Sequence, residues 1–397
     1  MDFTYDLLSA LWPGFLELPR WVAVALVTLI PGLAIFMFIS LGPLLYVYAE
    51  RKIAGFMQDR LGPMRVGPYG LLQTIADTIK LMFKEAVYPR GVDKKLFVIA
   101  PCLVLVGAFL SFVVLPFGGR LVTADLNVGL FYVVAISSLS VVGLIMAGWA
   151  SNNKYALFGG MRAAAQIVSY EIPAVMTLLS VVMIVGSLSL QDIVLAQSGG
   201  LQHWFLFRYF PLMPVAFLVF FTAGMAECNR TPFDIPEAES ELVAGFHTEY
   251  SGFFFALFFL SEYTEMFAVS AVTSVLFLGG WMAPHPALQA IGPVGLGWLW
   301  LIAKAWGLVF IMMWLRWTLP RLRVDQLMYV AWKVLLPIAM GLLVVVGALL
   351  VWEPTRDGFF WDKWVGWPLT ALIFGFLGVV MAKALRWRLR RPQEYAA

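Results

Sequence analysis

Charge is scarce in this sequence of 397 residues. Lys, Arg, Asp and Glu make up 13% of it, about half the share a soluble globular domain carries, while hydrophobic residues make up 61%. Cysteine is scarcer: Cys102 and Cys228 stand far apart and fit no metal-ligand spacing. A disulfide framework, a structural zinc site or an iron–sulfur site within the chain is therefore not expected. A basic, then apolar, leader is also missing. The opening MDFTYDLLSALWPGFLELP is acidic, so the first apolar run, from Trp21, is expected to stay in the mature chain. No Walker or dinucleotide glycine motif, internal repeat or low-complexity tract occurs.

What the chain has instead is long apolar runs, several near the ~20 residues that cross a bilayer, with Phe and Trp at run ends as in an interfacial belt. Nine spans are expected, at 21–48, 96–117, 128–149, 165–189, 211–226, 253–279, 295–316, 332–352 and 365–386. The fold class is an all-α polytopic membrane protein. Assigning the loops alternately puts twenty-one Lys and Arg on one side and five on the other, with Lys304 inside a span. By the positive-inside rule the N-terminus is periplasmic and the C-terminus cytoplasmic. In the first cytoplasmic loop, Leu71, Leu72, Ile75, Ile79, Met82, Phe83 and Ala86 recur at helical spacing opposite Asp77, Lys80 and Lys84. An amphipathic surface helix over 67–86 is expected, opening near Pro68.

Five charges lie at membrane depth, where an ionisable group costs a few kcal/mol and usually faces a bundle interior or water. Glu171 sits in QIVSYEIPAVMTLL, Glu227 ends the fifth span, Glu262 and Glu265 stand three apart in SEYTEM, and Lys304 interrupts WLWLIAKAW. Residues three apart share a helical face. Carboxylates crowded in a low dielectric cannot all ionise cheaply and titrate as a set, which is the chemistry of a proton relay. Lys304 is equally compatible with snorkelling to an interface.

Acids are also concentrated. AECNRTPFDIPEAESELVAGFHTEY, residues 226–250, holds Glu227, Asp234, Glu237, Glu239, Glu241 and Glu249 against a single Arg230, a quarter of all the Asp and Glu in the chain. Pro232 and Pro236 break the helix, and irregular backbone beside a membrane persists only when buried in protein or lining water. Pro236–Glu241 reads as a new helix start, acids being favoured in the first turn. The acids alone would also suit a solvated loop, but the apolar flanks LVAGF and SGFFFALFF tie the loop, about 227–252, back to the membrane.

Three blocks carry a resemblance: ERKIAGFMQDRLGPMRVGPYGLLQTIADTIKLMFKE, SNNKYALFGGMRAAAQIVSYEIP and AECNRTPFDIPEAESELVAGFHTEYSGFFFALFFLSEYTEM. They resemble the family of respiratory complex I membrane subunits that includes mitochondrial NADH dehydrogenase subunit 1 and its bacterial counterpart, the H subunit. The similarity spans roughly residues 20–350. It implies a subunit of proton-pumping NADH:quinone oxidoreductase that meets the hydrophilic arm, forms much of the quinone chamber and couples quinone reduction to proton translocation. Carried over by position, Glu171, Glu227, Glu262, Glu237, Glu239 and Glu241 match the family's glutamate-lined channel. Glu249 and Asp234 match carboxylates near the same loop, and Arg51, Arg60 and Arg230 belong to the matching chamber segments.

The resemblance further implies that this chain binds no redox cofactor. Quinone would be the substrate, and FMN and iron–sulfur clusters would sit in partner subunits of the hydrophilic arm. Small membrane-arm subunits and lipid would be its other partners, with no nucleic acid, in a bacterial inner membrane. The chain departs from the family in two places. The family core has eight spans, so residues 1–352 read as that core and 353–397 as an added helix and basic tail. Met64-Arg65 stands where the family turn has an Asn. A related anchor subunit of a membrane-bound hydrogenase would share these features, and a stand-alone transporter would suit the buried carboxylates, although no inverted repeat supports one.

Overall fold

The computed structural model describes residues 19–119, 121–236, 239–285, 288 and 297–352. All regular structure among them is helical. Seven helices are long and apolar enough to cross a membrane, and a shorter apolar one, Leu212–Glu227, stands where the fifth span was expected. The expected ninth span, 365–386, and the tail lie outside the described residues, as does Glu237.

In chain order the helices are α1 Arg20–Met57, α2 Gln73–Phe83, α3 Lys94–Leu110, α4 Gly129–Ala150, α5 Lys154–Val185, α6 Leu190–Leu195, α7 Leu212–Glu227, α8 Glu239–Leu242, α9 Gly252–Phe277 and α10 Gly297–Thr318. Then α11, Val324–Tyr329, continues through a π turn into α12, Leu336–Trp352. Two of these outrun their apolar stretches. α1 carries on through Glu50, Arg51 and Lys52 to Met57, and α5 starts eleven residues before the expected span, at Lys154, capped by the Asn153 side chain. Hydropathy ends where charge begins, whereas a helix ends only where its backbone bonding does.

The surface helix is shorter than expected. Pro68 opens a 3₁₀ turn, Pro68–Gly70, and Tyr69 and Gly70 then take positive φ, 54° and 81°. α2 therefore begins only at Gln73, and it leaves Ile75, Ile79, Met82 and Phe83 exposed.

α9 is central, packing on α1, α2, α3, α7 and α10, while α5 joins α4, α7 and α12. Small residues allow close crossings: a Cβ on Gly143 would lie 2.4 Å from Val104 of α3, and one on Gly148 would lie 2.7 Å from the Ala156 carbonyl of α5. One apolar core joins α1, α5, α7, α9, α10 and α12. A second gathers Phe97, Leu144, Ile167, Phe246, Tyr250 and Phe258, with Phe97 and Tyr250 stacked at 3.9 Å. It lies at the end of the bundle that bears Lys94, Lys95 and Lys154, and it seats the 245–250 segment there.

Candidate functional site: a carboxylate cavity beside a buried arginine

A cavity of about 70 Å³ opens between α3, α4, α5, α7 and α9, large enough to admit water. Its polar wall is made by Glu171 of α5, Glu227 at the end of α7, Glu265 of α9, Cys228, and the hydroxyls of Ser111, Ser137, Ser138 and Ser140. Val133, Leu178, Phe220 and Val272 supply part of the apolar wall. The Ser138 hydroxyl donates to Glu171 Oε1 at 2.5 Å.

Beside the cavity lies a second charged group. Glu50, near the end of α1, is only 5% exposed, and Arg230 is 6% exposed. Tyr263 donates its hydroxyl to Glu50 Oε2 at 2.8 Å, and Arg316 of α10 pairs with the other Glu50 oxygen. The Arg230 guanidinium lies 3.5 Å from Glu50 and 4.0 Å from Glu262, with its carbon 4.1 Å from the Tyr263 ring centroid. Burial opposes the Arg230 charge, but Tyr263, Glu50 and Glu262 outweigh it and raise its pKa above the ordinary value. Three helices and one loop thus meet at a single carboxylate.

The loop between the two groups is held on every side. Gln166, buried in α5, donates its two amide protons to the carbonyls of Ala226 at 2.8 Å and Phe233 at 2.7 Å, with Asn229 Oδ1 3.3 Å from the same nitrogen, while Asn229 adopts φ 50°. Asp234 pairs with Arg321 at 2.8 Å. Arg162 pairs with Glu241 at 2.5 Å, and Asn153 donates to Glu249 at 2.6 Å. Cys228 touches both groups electrostatically. Burial holds its thiol well above the usual range; Glu265, Glu227 and Glu262 push the same way, and Arg230 pulls down.

The carboxylates named in the sequence analysis therefore divide. Glu171 and Glu227 line the cavity, joined by Glu265 rather than Glu262, and Glu262 faces Arg230. Glu241 and Glu249 are tied to α5 and to the turn before it, and Glu239 opens the single-turn α8. Among the residues that the resemblance assigns to a chamber, Arg230 and Asp234 are buried, whereas Arg51 pairs with Asp77 of α2 at 2.5 Å and Arg60 bonds Gln58 at 2.7 Å, both in exposed positions. Lys304 does not snorkel outward. Its ammonium donates to the carbonyls of Leu278, Gly280 and Met282 at 2.6–2.8 Å, at the far end of α9, and stands 4.1 Å from the Trp204 ring.

Sequence reasoning missed Glu50 and Arg316 as site residues. A signal existed for Glu50: it is the first acid after a long apolar run, the depth at which an unpaired carboxylate is costly.

Together these features define a polytopic helical membrane protein with a buried carboxylate cavity and an adjoining arginine hub. The NADH dehydrogenase family profile matches residues 30–347. The chain belongs to that family. It is 54% identical over 345 residues to the H subunit of NADH-quinone oxidoreductase from Chlorobaculum parvum, covering 84% of this chain and 93% of that protein. With the subunit of the same name from Geobacillus kaustophilus it shares 48% identity over 342 residues, 84% of this chain and 97% of the relative. With that from Bacteroides fragilis it shares 43% over 339 residues, 84% and 94%.

Proposed function

We propose that the chain is the membrane subunit of a proton-pumping NADH:quinone oxidoreductase that forms much of the quinone chamber at the junction with the hydrophilic arm, and that it couples quinone reduction to proton translocation. The observation that carries this reading is the segment 227–230: four consecutive residues take Glu227 and Cys228 into the cavity wall and Arg230 into the hub with Glu50 and Glu262. Negative charge developing on a reduced quinone near the hub would alter the field at Arg230. In a low dielectric that change is felt at the neighbouring cavity carboxylates, whose protons redistribute as a coupled set.

On this reading, Asp234, Arg51, Arg60 and Arg230 shape the chamber and its entrance. Glu171, Glu227, Glu237, Glu239, Glu241, Glu249 and Glu262 serve the relay, with Glu265 added to them. FMN and the iron–sulfur clusters belong to partner subunits, quinone is the substrate, and the chain sits in a bacterial inner membrane with its N-terminus periplasmic. Residues 1–352 form the family core and 353–397 an added helix and tail.

The test is made in the purified whole complex, reconstituted in vesicles. Glu171→Gln or Glu227→Gln, and Glu→Gln changes at Glu237, Glu239 and Glu241, should lower protons moved per electron. Wild-type quinone reduction and wild-type pumping in all of these variants would sink the reading.

A further inference from the structure

Four serine hydroxyls face the carboxylate cavity, and three keep their protons on their own helix. Ser111 donates to the Gly107 carbonyl at 3.2 Å, Ser137 to Val134 at 2.9 Å and Ser140 to Ser137 at 2.7 Å. Ser138 differs. It lies within reach of the Val134 carbonyl at 3.0 Å and of Glu171 Oε1, across on α5, at 2.5 Å. A hydroxyl has one proton to give and two lone pairs to accept with, so it cannot serve both at once.

The competition for Val134 settles where that proton rests. A carbonyl offers two lone pairs. In a helix one receives the N–H four residues on, and here the Ser137 hydroxyl reaches the other. The Ser138 proton is thereby directed across the helix interface to the ionised carboxylate, a charge-assisted bond of the stronger kind. When Glu171 is protonated the roles reverse. The acid donates to Ser138 Oγ, and the hydroxyl turns to share the Val134 carbonyl. Either charge state of Glu171 then keeps a partner without moving a helix.

We propose that Ser138 is the positioning residue of Glu171, holding its carboxyl at the cavity wall and rotating between donor and acceptor as Glu171 gains and loses a proton. The inference rests on the relay role proposed above for Glu171. The other titratable groups on the cavity are Glu227 and Cys228 from α7 and its end, and Glu265 from α9; the polar groups from α4 and from the turn after α3 are serine hydroxyls.

The experiment is redox-triggered infrared difference spectroscopy on the purified complex, paired with protons per electron in vesicles. Glu171→Gln identifies the carboxyl C=O band of Glu171 by its disappearance. Ser138→Ala should shift that band to higher frequency, as for a carboxyl that has lost a hydrogen bond, and should lower the proton yield. Ser138→Thr, which restores a hydroxyl at the same place, should return both. A Ser138→Ala complex with an unshifted band and full proton yield overturns the inference. So does a Ser138→Thr complex that behaves like Ser138→Ala, because the effect would then be one of packing. If instead Glu171→Gln itself pumps normally, the relay reading of Glu171 falls, and the role of Ser138 falls with it.

Discussion

Glu50 illustrates how a single side chain can fix the geometry of a site that spans distant parts of the chain. Arg230 and Arg316 come from a loop and from α10, and neither would lie beside the other without an acid between them. Removing one partner of a buried ion pair is costly because it strands the rest, typically by about 3–5 kcal/mol. Glu50→Gln should therefore lower the thermal denaturation midpoint of the purified complex and slow quinone reduction. The double change Glu50→Gln with Arg316→Gln should be less harmful than the sum of the two singles, since it strands less charge. Strict additivity of the two would show that the pair is not coupled.

Glu262 and Glu265 show where residue-level reading of a sequence stops. Spacing of three puts both on one face, yet at 3.6 residues per turn they point about 60° apart. On a helix packed on several sides as α9 is, that angle suffices to aim one at Arg230 and the other into the cavity. Periodicity names a face; it does not name the neighbour on either flank of it.

At the scale of elements, the apolar spans were readable because burial in lipid demands them, and eight of the nine expected positions hold helices among the described residues. The ends were less readable. α1 and α5 continue past their apolar stretches, and α2 is delayed by left-handed residues at Tyr69 and Gly70, which hydropathy does not register. The acids of the 226–250 segment were conspicuous, but their partners Arg162, Asn153 and Arg321 are remote in sequence and came only with the fold.

One element contact is unusually intolerant. A Cβ on Gly159 of α5 would stand 2.5 Å from the Phe246 nitrogen and 2.6 Å from the Gly245 carbonyl carbon, and backbone atoms cannot rotate aside. Gly159→Ala should push the 245–247 turn away at a cost of about 1–3 kcal/mol. Faster hydrogen exchange in residues 239–250 would register the loss. Unchanged protection there would mean that α5 does not set the position of the loop.

For the whole molecule, the uneven spread of Lys and Arg makes a claim about orientation that labelling can check. A membrane-impermeant maleimide applied to intact cells should modify His285→Cys and spare Arg65→Cys, read against the parent chain with its own Cys102 and Cys228. The opposite pattern would invert the proposed topology and move the carboxylate-rich loop to the periplasm.

Lys304 has a mechanical consequence at this scale. It clasps three carbonyls just beyond the end of α9, and Gln197 takes the Gly279 N–H at 3.0 Å at the same place. At the other end the Ser251 hydroxyl accepts from Val87, and Tyr250 stacks on Phe97. Pinned at both ends, α9 is built as an axle and not as a piston. On the proposed relay, signals between Glu262 and Glu265 would then pass through side chains, while the shaft that carries both stays in its bearings.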